Sequence, residues 1–261
     1  MKFDDLEAKM RRLESYHEQR VLDGAWFAVR LDGRSFSKLT EKNFIKPFDL
    51  RFSELMAETT QELVREFDAL YGYTESDEIS LIFRPEWRMF DRCHEKIISL
   101  MAASATASFV KASDHVVQFD SRVITFPNRN TAVDYFRWRG EDAARNALNT
   151  CCHWTMINAG STAGYTAAQL ERMGFKEKIN LLFQHNVDFF TVPNRFRYGI
   201  GFLWEDYQKE GFNPKTNELV LTPRRRVASC LDLPAREAYS DFLNRIIVEP
   251  SSEPATTVLP K

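Results

Sequence analysis

The sequence predicts an α+β fold, in which a ferredoxin-like antiparallel sheet with helices on one face is followed by a helical and β extension. Short apolar segments alternate with segments of helical period, in the order strand–helix–strand–strand–helix–strand. The composition is globular, with 44% hydrophobic and 28% charged residues among 261, which excludes disordered, collagen-like and coiled-coil chains. A chain of this length buries roughly 70–75% of its unfolded surface and needs no metal or disulfide to complete its core.

The elements of this fold follow in order along the first half of the chain. Apolar residues at steps of three and four predict a first helix, and they are Phe3, Leu6, Met10, Leu13 and Tyr16. Periodicity and flanking turn residues place the other elements: a strand at 25–31, a helix at about 50–68, strands at 70–74 and 79–83, a helix at 90–111 and a strand at 122–126. Only ESDE separates the second strand from the third, which is hairpin length.

This order of elements brings two distant aspartates together. The first and third strands of a ferredoxin-like sheet are central, antiparallel neighbours, so the end of one lies beside the start of the other. Asp32 closes the first strand, and Asp77 lies in the hairpin before the third. The two carboxylates are therefore expected at the same edge of the sheet.

The second half of the chain is predicted to pack on the sheet as an extension. A long helix ends near Gly160, Thr166 is expected to cap a shorter one, and Tyr198–Trp204 pairs with Glu218–Val227. No linker separates the halves. We therefore expect one catalytic domain, 1–247, followed by a mobile tail, 248–261, rich in Pro, Ser and Thr. Within the domain, a core of about 24–127 precedes an extension of 128–247.

Charge and cysteine content restrict the setting of the protein. The 35 basic and 37 acidic residues give a net charge of -2, so a nucleic acid would have to meet a local basic face. No apolar segment has the length of a membrane span, and the charged N-terminus does not resemble a signal peptide. The four cysteines form no CxxC pair, so we expect reduced, buried thiols in a cytoplasmic protein without a membrane partner.

The expected pair of aspartates favours a hard divalent cation. Two unit charges at about 4 Å repel by roughly 4 kcal/mol at an effective dielectric of 20, and Mg²⁺ prefers carboxylate oxygens and phosphates. Gly33 would let a ligand approach the backbone closely, and a basic segment follows it: Arg34, Lys38, Lys42 and Lys46. Carboxylates beside cations suit two-metal phosphoryl transfer, although paired aspartates in loops are more often turn residues.

Four motifs follow one another along the chain: RLDGRSFSKLTEKNFIKP, GYTESDEISLIF, FDSRVITFPN and YFRWRGEDAARNALNT. In this order and spacing they resemble the histidine-tRNA guanylyltransferase family, the 3′-to-5′ nucleotide-adding polymerases. The downstream stretch from Phe175 to Pro214 resembles the guanylyltransferase-like branch of archaea and bacteria, and the resemblance covers about 20–225. It implies a polymerase-type palm, two Mg²⁺ ions, ATP and GTP or other nucleoside triphosphates as substrates, and a homotetramer that binds tRNA.

The resemblance also implies roles for individual residues. The metal ligands would be Asp32, Gly33 and Asp77, and the catalytic residues Asp32, Asp77 and Glu78. Nucleotide binding would fall to Gly33, Arg34, Ser35, Phe36, Ser37, Lys46, Ser76, Arg92 and Lys96, of which the last two match less closely. Asn146 matches a family asparagine that we assign to RNA. Aromatic and basic character also make Arg137, Trp138 and Arg139 candidates for RNA contact, with packing roles as the alternative.

One departure from the family pattern concerns specificity. Eukaryotic members carry a histidine where this chain has Ala144, within the run AARN. That favours templated repair of 5′-truncated tRNA, with ATP activating the 5′ end, over dedicated guanosine addition to histidine tRNA. Two other functions stay open: a nucleotide cyclase, and a non-catalytic RNA-binding protein with a degenerate palm, which the intact Asp32, Gly33, Lys46 and Asp77 argue against.

Overall fold

The computed structural model describes residues 2–14, 19–213 and 218–248. Its first half contains α1 (Phe3–Glu14), β1 (Trp26–Gly33), α2 (Phe36–Asn43), α3 (Leu50–Glu66), β2 (Tyr71–Glu75), β3 (Glu78–Phe83), α4 (His94–Ser113) and β4 (Phe119–Phe126). Its second half contains α5 (Arg129–Asn158), α6 (Ala163–Arg172), α7 (Phe175–Gln184), α8 (Asn194–Arg197), β5 (Ile200–Asn213), β6 (Glu218–Cys230) and α9 (Glu237–Ile246). The predicted tail beyond Val248 and Tyr16 of the first helix lie outside the described residues.

The strands form one antiparallel sheet in the order β4–β1–β3–β2–β5–β6. Strands β1 and β3 are central neighbours, as the ferredoxin-like prediction requires. The β5–β6 hairpin joins the edge of β2 through the pair Tyr71 and Leu203, so the extension enlarges the sheet itself. The predicted α+β fold is confirmed.

Alternating side chains along the strands bury the two faces of the sheet in separate cores. On one face, Val29 and Leu31 of β1 belong to a core cluster with Leu63 of α3 and Ile97 of α4. On the other face, Ala28 lies in a second core cluster that includes residues of α5 and α9. The extension therefore covers part of the face that α3 and α4 leave open.

The short helices after α5 have their own core and their own caps. Leu148 and Cys152 of α5 belong to a third cluster with Leu170 of α6 and Leu182 of α7. The predicted cap at Thr166 is wrong: Thr162 caps α6 by accepting a hydrogen bond from the Tyr165 amide, and Thr166 is buried one turn further on.

Two observations bear on the setting of the chain. Across the described ranges, no helix combines the length and apolar character needed to cross a membrane. All four cysteines are free thiols, and three of them, Cys93, Cys151 and Cys152, are buried.

Candidate active site

The register of β1 and β3 brings Asp32 and Asp77 to the same edge of the sheet. Asp32 pairs with Glu78 across the two strands, and the amide of Gly33 donates a hydrogen bond to the Asp77 carbonyl at 3.0 Å. Asp77 lies in the two-residue turn between β2 and β3, where Ser76 takes a left-handed conformation with φ of 49°. The predicted convergence of the two residues is present at the level of the backbone.

The Asp77 carboxylate is half-buried, and within the described residues it forms no ion pair. Burial raises the pKa of Asp77, and the negative charge of Asp32 adds to the rise. Hydrogen bonds from Ser76 and from the backbone, together with the positive charge of Lys46, oppose it. A bound cation would therefore stabilise the ionised form of Asp77, in agreement with the cation site that the sequence suggested.

The Asp32 carboxylate is held by two arginines instead. Arg30 donates to both of its oxygens at 3.0 Å, and Arg122 of β4 approaches it at 3.1 Å. Mutual repulsion between the two carboxylates is therefore weaker than the sequence suggested, because protein cations already compensate the charge of Asp32. Arg30 lies two residues before Asp32 on β1 and is directly opposite Arg122 on β4, so the three side chains share one face of the sheet.

Glu78 and Arg139 form a buried ion pair beside this edge. The guanidinium of Arg139 donates to both oxygens of Glu78 at 2.7 Å, and it also reaches Glu75 at 3.3 Å and Asp142 at 3.1 Å. Arg139 is only 4% exposed, so its prediction as an RNA contact is wrong. Both oxygens of Glu78 are bonded to Arg139, and Glu78 does not line the cleft beside the Asp77 turn. The structure therefore does not place Glu78 where a reacting group would bind.

A cleft of about 370 Å³ opens beside the turn that carries Asp77. The segment 36–49 forms one wall, and it contains the helix α2 where the sequence suggested a cationic loop. Lys46 lines the cleft and donates to the Thr40 hydroxyl at 2.6 Å. Burial lowers the pKa of Lys46, although the charges of Glu41 and Asp77 oppose that shift. Lys38 and Lys42 are exposed on α2 and do not line the cleft.

The predicted nucleotide-binding residues divide into two groups. Those that line the cleft are Phe36, Ser37, Lys46 and Ser76, and Asn146 joins them from α5. Phe36 is also a core residue, and its ring lies 2.5 Å from where a Cβ of Gly33 would stand. Glycine is thus required here for packing against Phe36, whereas the sequence suggested a ligand approaching the backbone.

The remaining predicted residues lie elsewhere. Arg92 is 2% exposed, and its guanidinium donates to the carbonyls of Val21, Ala25, Pro85 and Trp87 at the opposite end of β1. Its assignment to the nucleotide is therefore wrong. Lys96 is exposed on the first turn of α4, and Arg34 is turned toward Gln118, at 2.9 Å. Ser35 is exposed in a left-handed conformation ahead of α2.

The residues at the edge fit a magnesium site of the kind that substrate phosphates complete. Asp77 offers a half-buried carboxylate that forms no ion pair with a described residue, and Asp32 and the Gly33 carbonyl are hard oxygen donors beside it. Among the described residues no group of three or more His, Cys, Asp or Glu side chains is placed to hold a metal by itself. Mg²⁺ usually binds through one or two carboxylates plus phosphates, which is what this donor set provides.

Comparisons with known proteins agree with the motifs. The family model for tRNAHis guanylyltransferase matches residues 7–128, and that for the Thg1 C terminal domain matches 130–229. The probable tRNA(His) guanylyltransferase of Mus musculus is 30% identical over 205 residues, 74% of this chain and 69% of the relative. The corresponding protein of Dictyostelium discoideum is 28% identical over 249 residues, 90% and 96% of the two chains. The chain belongs to the tRNA(His) guanylyltransferase family. It is a nucleotidyltransferase.

Solved structures of tRNA(His) guanylyltransferases and related proteins share the fold. The enzyme of Saccharomyces cerevisiae superposes with a TM-score of 0.67 at 26% identity, covering 73% of this chain and 90% of that one. A bacterial guanylyltransferase-like protein in complex with GTP superposes with a TM-score of 0.73 at 24% identity, covering 93% and 99%. The palm-type architecture that the resemblance implied is therefore confirmed.

Sequence reasoning missed one whole wall of the cleft in this member of the guanylyltransferase family. His153, Trp154 and Arg195 line it, and Phe48 stacks on Phe196 with ring centroids 5.1 Å apart. The Arg195 Nε is buried, and no residue in the described part of the chain accepts a hydrogen bond from it. A signal was present for part of this wall, because Asn146, Thr150 and His153 recur at helical spacing on α5. No pattern in the sequence marked Phe48, Arg195 or Phe196 as residues of the cleft.

Of the four RNA candidates, Trp138 and Asn146 are exposed, Arg137 is half-buried and Arg139 is buried. Trp138 is 51% exposed on α5, with its ring stacked beneath the Arg139 guanidinium at 4.6 Å. Arg137 is occupied by ion pairs with Glu141 and Glu237 at 2.8 and 2.9 Å. Among these residues, Trp138 keeps the surface that base stacking requires.

Proposed function

We propose that this protein is a Mg²⁺-dependent nucleotidyltransferase that adds nucleotides to the 5′ end of tRNA in the 3′-to-5′ direction. The observation that carries the proposal is the cleft in which Ser37, Lys46, Ser76 and Asp77 face one another beside Asp32. Hydroxyl and ammonium donors next to carboxylates are what a metal-bound triphosphate requires.

The residues divide the work of phosphoryl transfer between them. Asp32, Asp77 and the Gly33 carbonyl would hold two Mg²⁺ ions, which supply charge neutralisation at the attacking and leaving oxygens when bound. Lys46 is positioned to contact phosphate oxygens, and the hydroxyls of Ser37 and Ser76 can donate to them. The aromatic wall of Phe48, Trp154 and Phe196 offers apolar surface for a base.

Two transfers follow in sequence. An oxygen of the tRNA 5′-monophosphate attacks the α-phosphorus of ATP, pyrophosphate leaves, and the 5′ end becomes adenylylated. The 3′-hydroxyl of an incoming nucleoside triphosphate then attacks the former 5′-phosphorus, loses its proton, and AMP leaves. A 5′-triphosphate end would skip activation and release pyrophosphate. The anhydride bonds supply the driving free energy, so the protein contributes positioning and electrostatic stabilisation.

Templated repair of 5′-truncated tRNA is the activity we favour, because Ala144 on α5 presents only a methyl group between the cleft residues Ala143 and Ala147. Dedicated addition of guanosine to histidine tRNA is the alternative, and the names of the relatives favour it. We also propose that the chain assembles as a homotetramer, an expectation that rests on the family and that light scattering of the purified protein would test.

The decisive experiment uses 5′-phosphorylated tRNA lacking its first nucleotide, Mg²⁺ and ATP labelled at the α-phosphate. We expect label on the RNA in the absence of other nucleotides, and its release as AMP with one-nucleotide extension when a complementary nucleoside triphosphate is added. A cyclic nucleotide formed without RNA would support the cyclase function. Binding of tRNA without label transfer or extension would mean that the palm is inactive.

A further inference from the structure

One arginine of the extension forms hydrogen bonds with the residues on both sides of the turn that carries Asp77. Glu75 and Glu78 are the last residue of β2 and the first of β3, and they enclose Ser76 and Asp77. Arg139 of α5 reaches both of them, at 3.3 Å to Glu75 and 2.7 Å to each oxygen of Glu78. The two flanks of the turn are thus tied to one guanidinium that comes from 61 residues further along the chain.

The same network extends to Asp32 through Arg30. Arg30 donates to both oxygens of Asp32 at 3.0 Å and lies 3.5 Å from Glu78. Acidic and basic side chains therefore alternate along the sheet edge in the order Asp32, Arg30, Glu78, Arg139, Glu75. Burial, together with the charge of Glu78, raises the pKa of Glu75 to about 8, so its contact with Arg139 is a hydrogen bond that does not depend on its ionisation. Each guanidinium touches a carboxylate on either side of it, so the series connects the strand carrying Asp32 to the turn carrying Asp77.

Stability alone does not account for burying these charges. A buried ion pair is often no more stabilising than hydrophobic residues of similar volume, because desolvation offsets the attraction. What such a pair adds is geometric definition. A planar guanidinium that bonds a carboxylate through two nitrogens fixes the distance and the relative orientation of the two side chains. The Thr74 hydroxyl adds a further constraint by donating to the Glu78 carbonyl at 2.7 Å, directly below the turn.

We propose that Arg139 is a positioning residue, which sets the placement of the Asp77 carboxylate relative to Asp32 by clamping Glu75 and Glu78. This inference rests on the proposed metal-dependent nucleotidyl transfer and adds a residue that binds neither substrate nor metal. The Trp138 ring also stacks on the Arg139 guanidinium, at 4.6 Å, and this contact restricts the orientation of the guanidinium plane.

The test compares Arg139→Gln and Arg139→Lys with the unmodified full-length protein. Free Mn²⁺ is titrated by electron paramagnetic resonance, and kcat and KM for ATP are measured with truncated tRNA. Loss of a residue that orients metal ligands lowers metal affinity or turnover by about 10- to 100-fold, so we expect weaker Mn²⁺ binding and a lower kcat while KM for ATP changes less than about threefold. Lysine should not rescue either quantity, because an ammonium cannot bond Glu75 and both oxygens of Glu78 in one plane.

Two further variants separate positioning from mere support of the fold. Tyr71→Phe removes the buried 2.9 Å hydrogen bond to Tyr239 from the same strand and face as Glu75, so it should lower Tm without changing Mn²⁺ affinity. The double variant Glu78→Gln/Arg139→Gln leaves no unpaired charge on these two residues, and it decides the matter where Arg139→Gln fails to fold. If the double variant also fails to fold, Arg139→Lys decides by the same criteria.

The outcomes have distinct meanings. Normal Mn²⁺ affinity and kcat in a folded Arg139 variant, with only Tm lowered, would reduce the residue to a structural role and overturn the inference. If the unmodified protein adds no nucleotide to any tRNA, the proposed function fails, while the Mn²⁺ titration still tests the clamp by itself.

Discussion

Asp32 and Asp77 lie at the same edge of the sheet, but their carboxylates have different electrostatic surroundings. Arg30 and Arg122 neutralise Asp32, whereas Asp77 is half-buried without an ion pair among the described residues. Replacing either by alanine removes a metal-holding carboxylate, and we expect nucleotidyl transfer to fall about a thousand-fold or more. Near-normal turnover in either variant would contradict the assignment of the site.

The two substitutions should differ in stability. In the presence of EDTA, Asp77→Ala removes a carboxylate whose ionised form is disfavoured by burial, so we expect Tm to rise. Asp32→Ala removes the carboxylate that Arg30 bonds through two nitrogens and that Arg122 also contacts, leaving Arg30 with Glu78 and Arg122 with Asp120. Tm should therefore fall, with about 2–4 °C for each kcal/mol in a chain of this size. Differential scanning calorimetry would measure both shifts, with Asp206→Asn on the exposed face of β5 as the control. Shifts of the same sign would refute the contrast.

Asp49 offers a test of pH dependence that is independent of the metal. Its carboxylate caps α3 and accepts hydrogen bonds from Arg51 and from the Ile45 amide, and the Arg51 interaction holds its pKa far below the usual value. A carboxyl whose folded pKa is depressed stabilises the fold above its unfolded pKa, near 3.8, and loses that contribution as pH falls toward its folded pKa.

Asp49→Asn keeps a good capping residue and removes only the charge. We therefore expect the variant to unfold at lower urea concentration than the parent at pH 7, and the gap between the two midpoints to narrow steadily below about pH 4. Urea titrations at pH 7, 5 and 3 would follow it. A gap that is constant with pH would assign the loss to packing instead of ionisation.

At the scale of elements, the segment from α2 to α3 carries a cation that lines the cleft. Lys46 follows α2 in a partly buried position, while Lys42 on the same helix points to solvent. We expect Lys46→Ala to raise KM for ATP about tenfold or more, because a charge-assisted contact to phosphate contributes about 1.5–3 kcal/mol. Binding of tRNA should change little.

Lys42→Ala is the matched control for Lys46→Ala, since it removes the same charge from the same segment without touching the cleft. Steady-state kinetics with varied ATP and a tRNA binding titration at fixed salt would compare the two. Equal weakening of tRNA binding and ATP use by Lys46→Ala would move the lysine to the RNA surface.

Sequence periodicity predicted the elements that are marked by their own residues, and it missed features that depend on residues distant in the sequence. Strands β1 and β3, which contain Asp32 and Phe83, were predictable because each is a short apolar segment bounded by turn residues. The helix α2 was not, because its eight residues contain three ionisable ones and bury only Phe36 and Thr40. Nor was the burial of Arg139, since its acidic partners Glu75 and Glu78 lie 64 and 61 positions away.

At the scale of the whole molecule, α5 connects three functions on one helix of 30 residues. Its first half packs on the sheet and presents Arg139 to the turn beside Asp77, and its second half lines the cleft with Asn146 and His153. Ala144 lies between these regions. Its neighbour Ala143 lines the cleft, whereas Ala144 itself lies beside the cleft without lining it.

Template dependence follows from what Ala144 cannot do. A methyl group offers no hydrogen bond that would select one special 5′ end, so discrimination has to come from elsewhere, and pairing with the opposite acceptor strand reads sequence without a protein contact. We expect a tRNA lacking its first nucleotide to receive the complement of the opposing base, and addition to slow sharply once the acceptor stem is fully paired. Four truncated tRNAs that differ only in the templating base, each offered the four nucleoside triphosphates separately, would measure this. Guanosine addition opposite every base would instead make the protein a dedicated guanylyltransferase, with its selectivity built from residues other than Ala144.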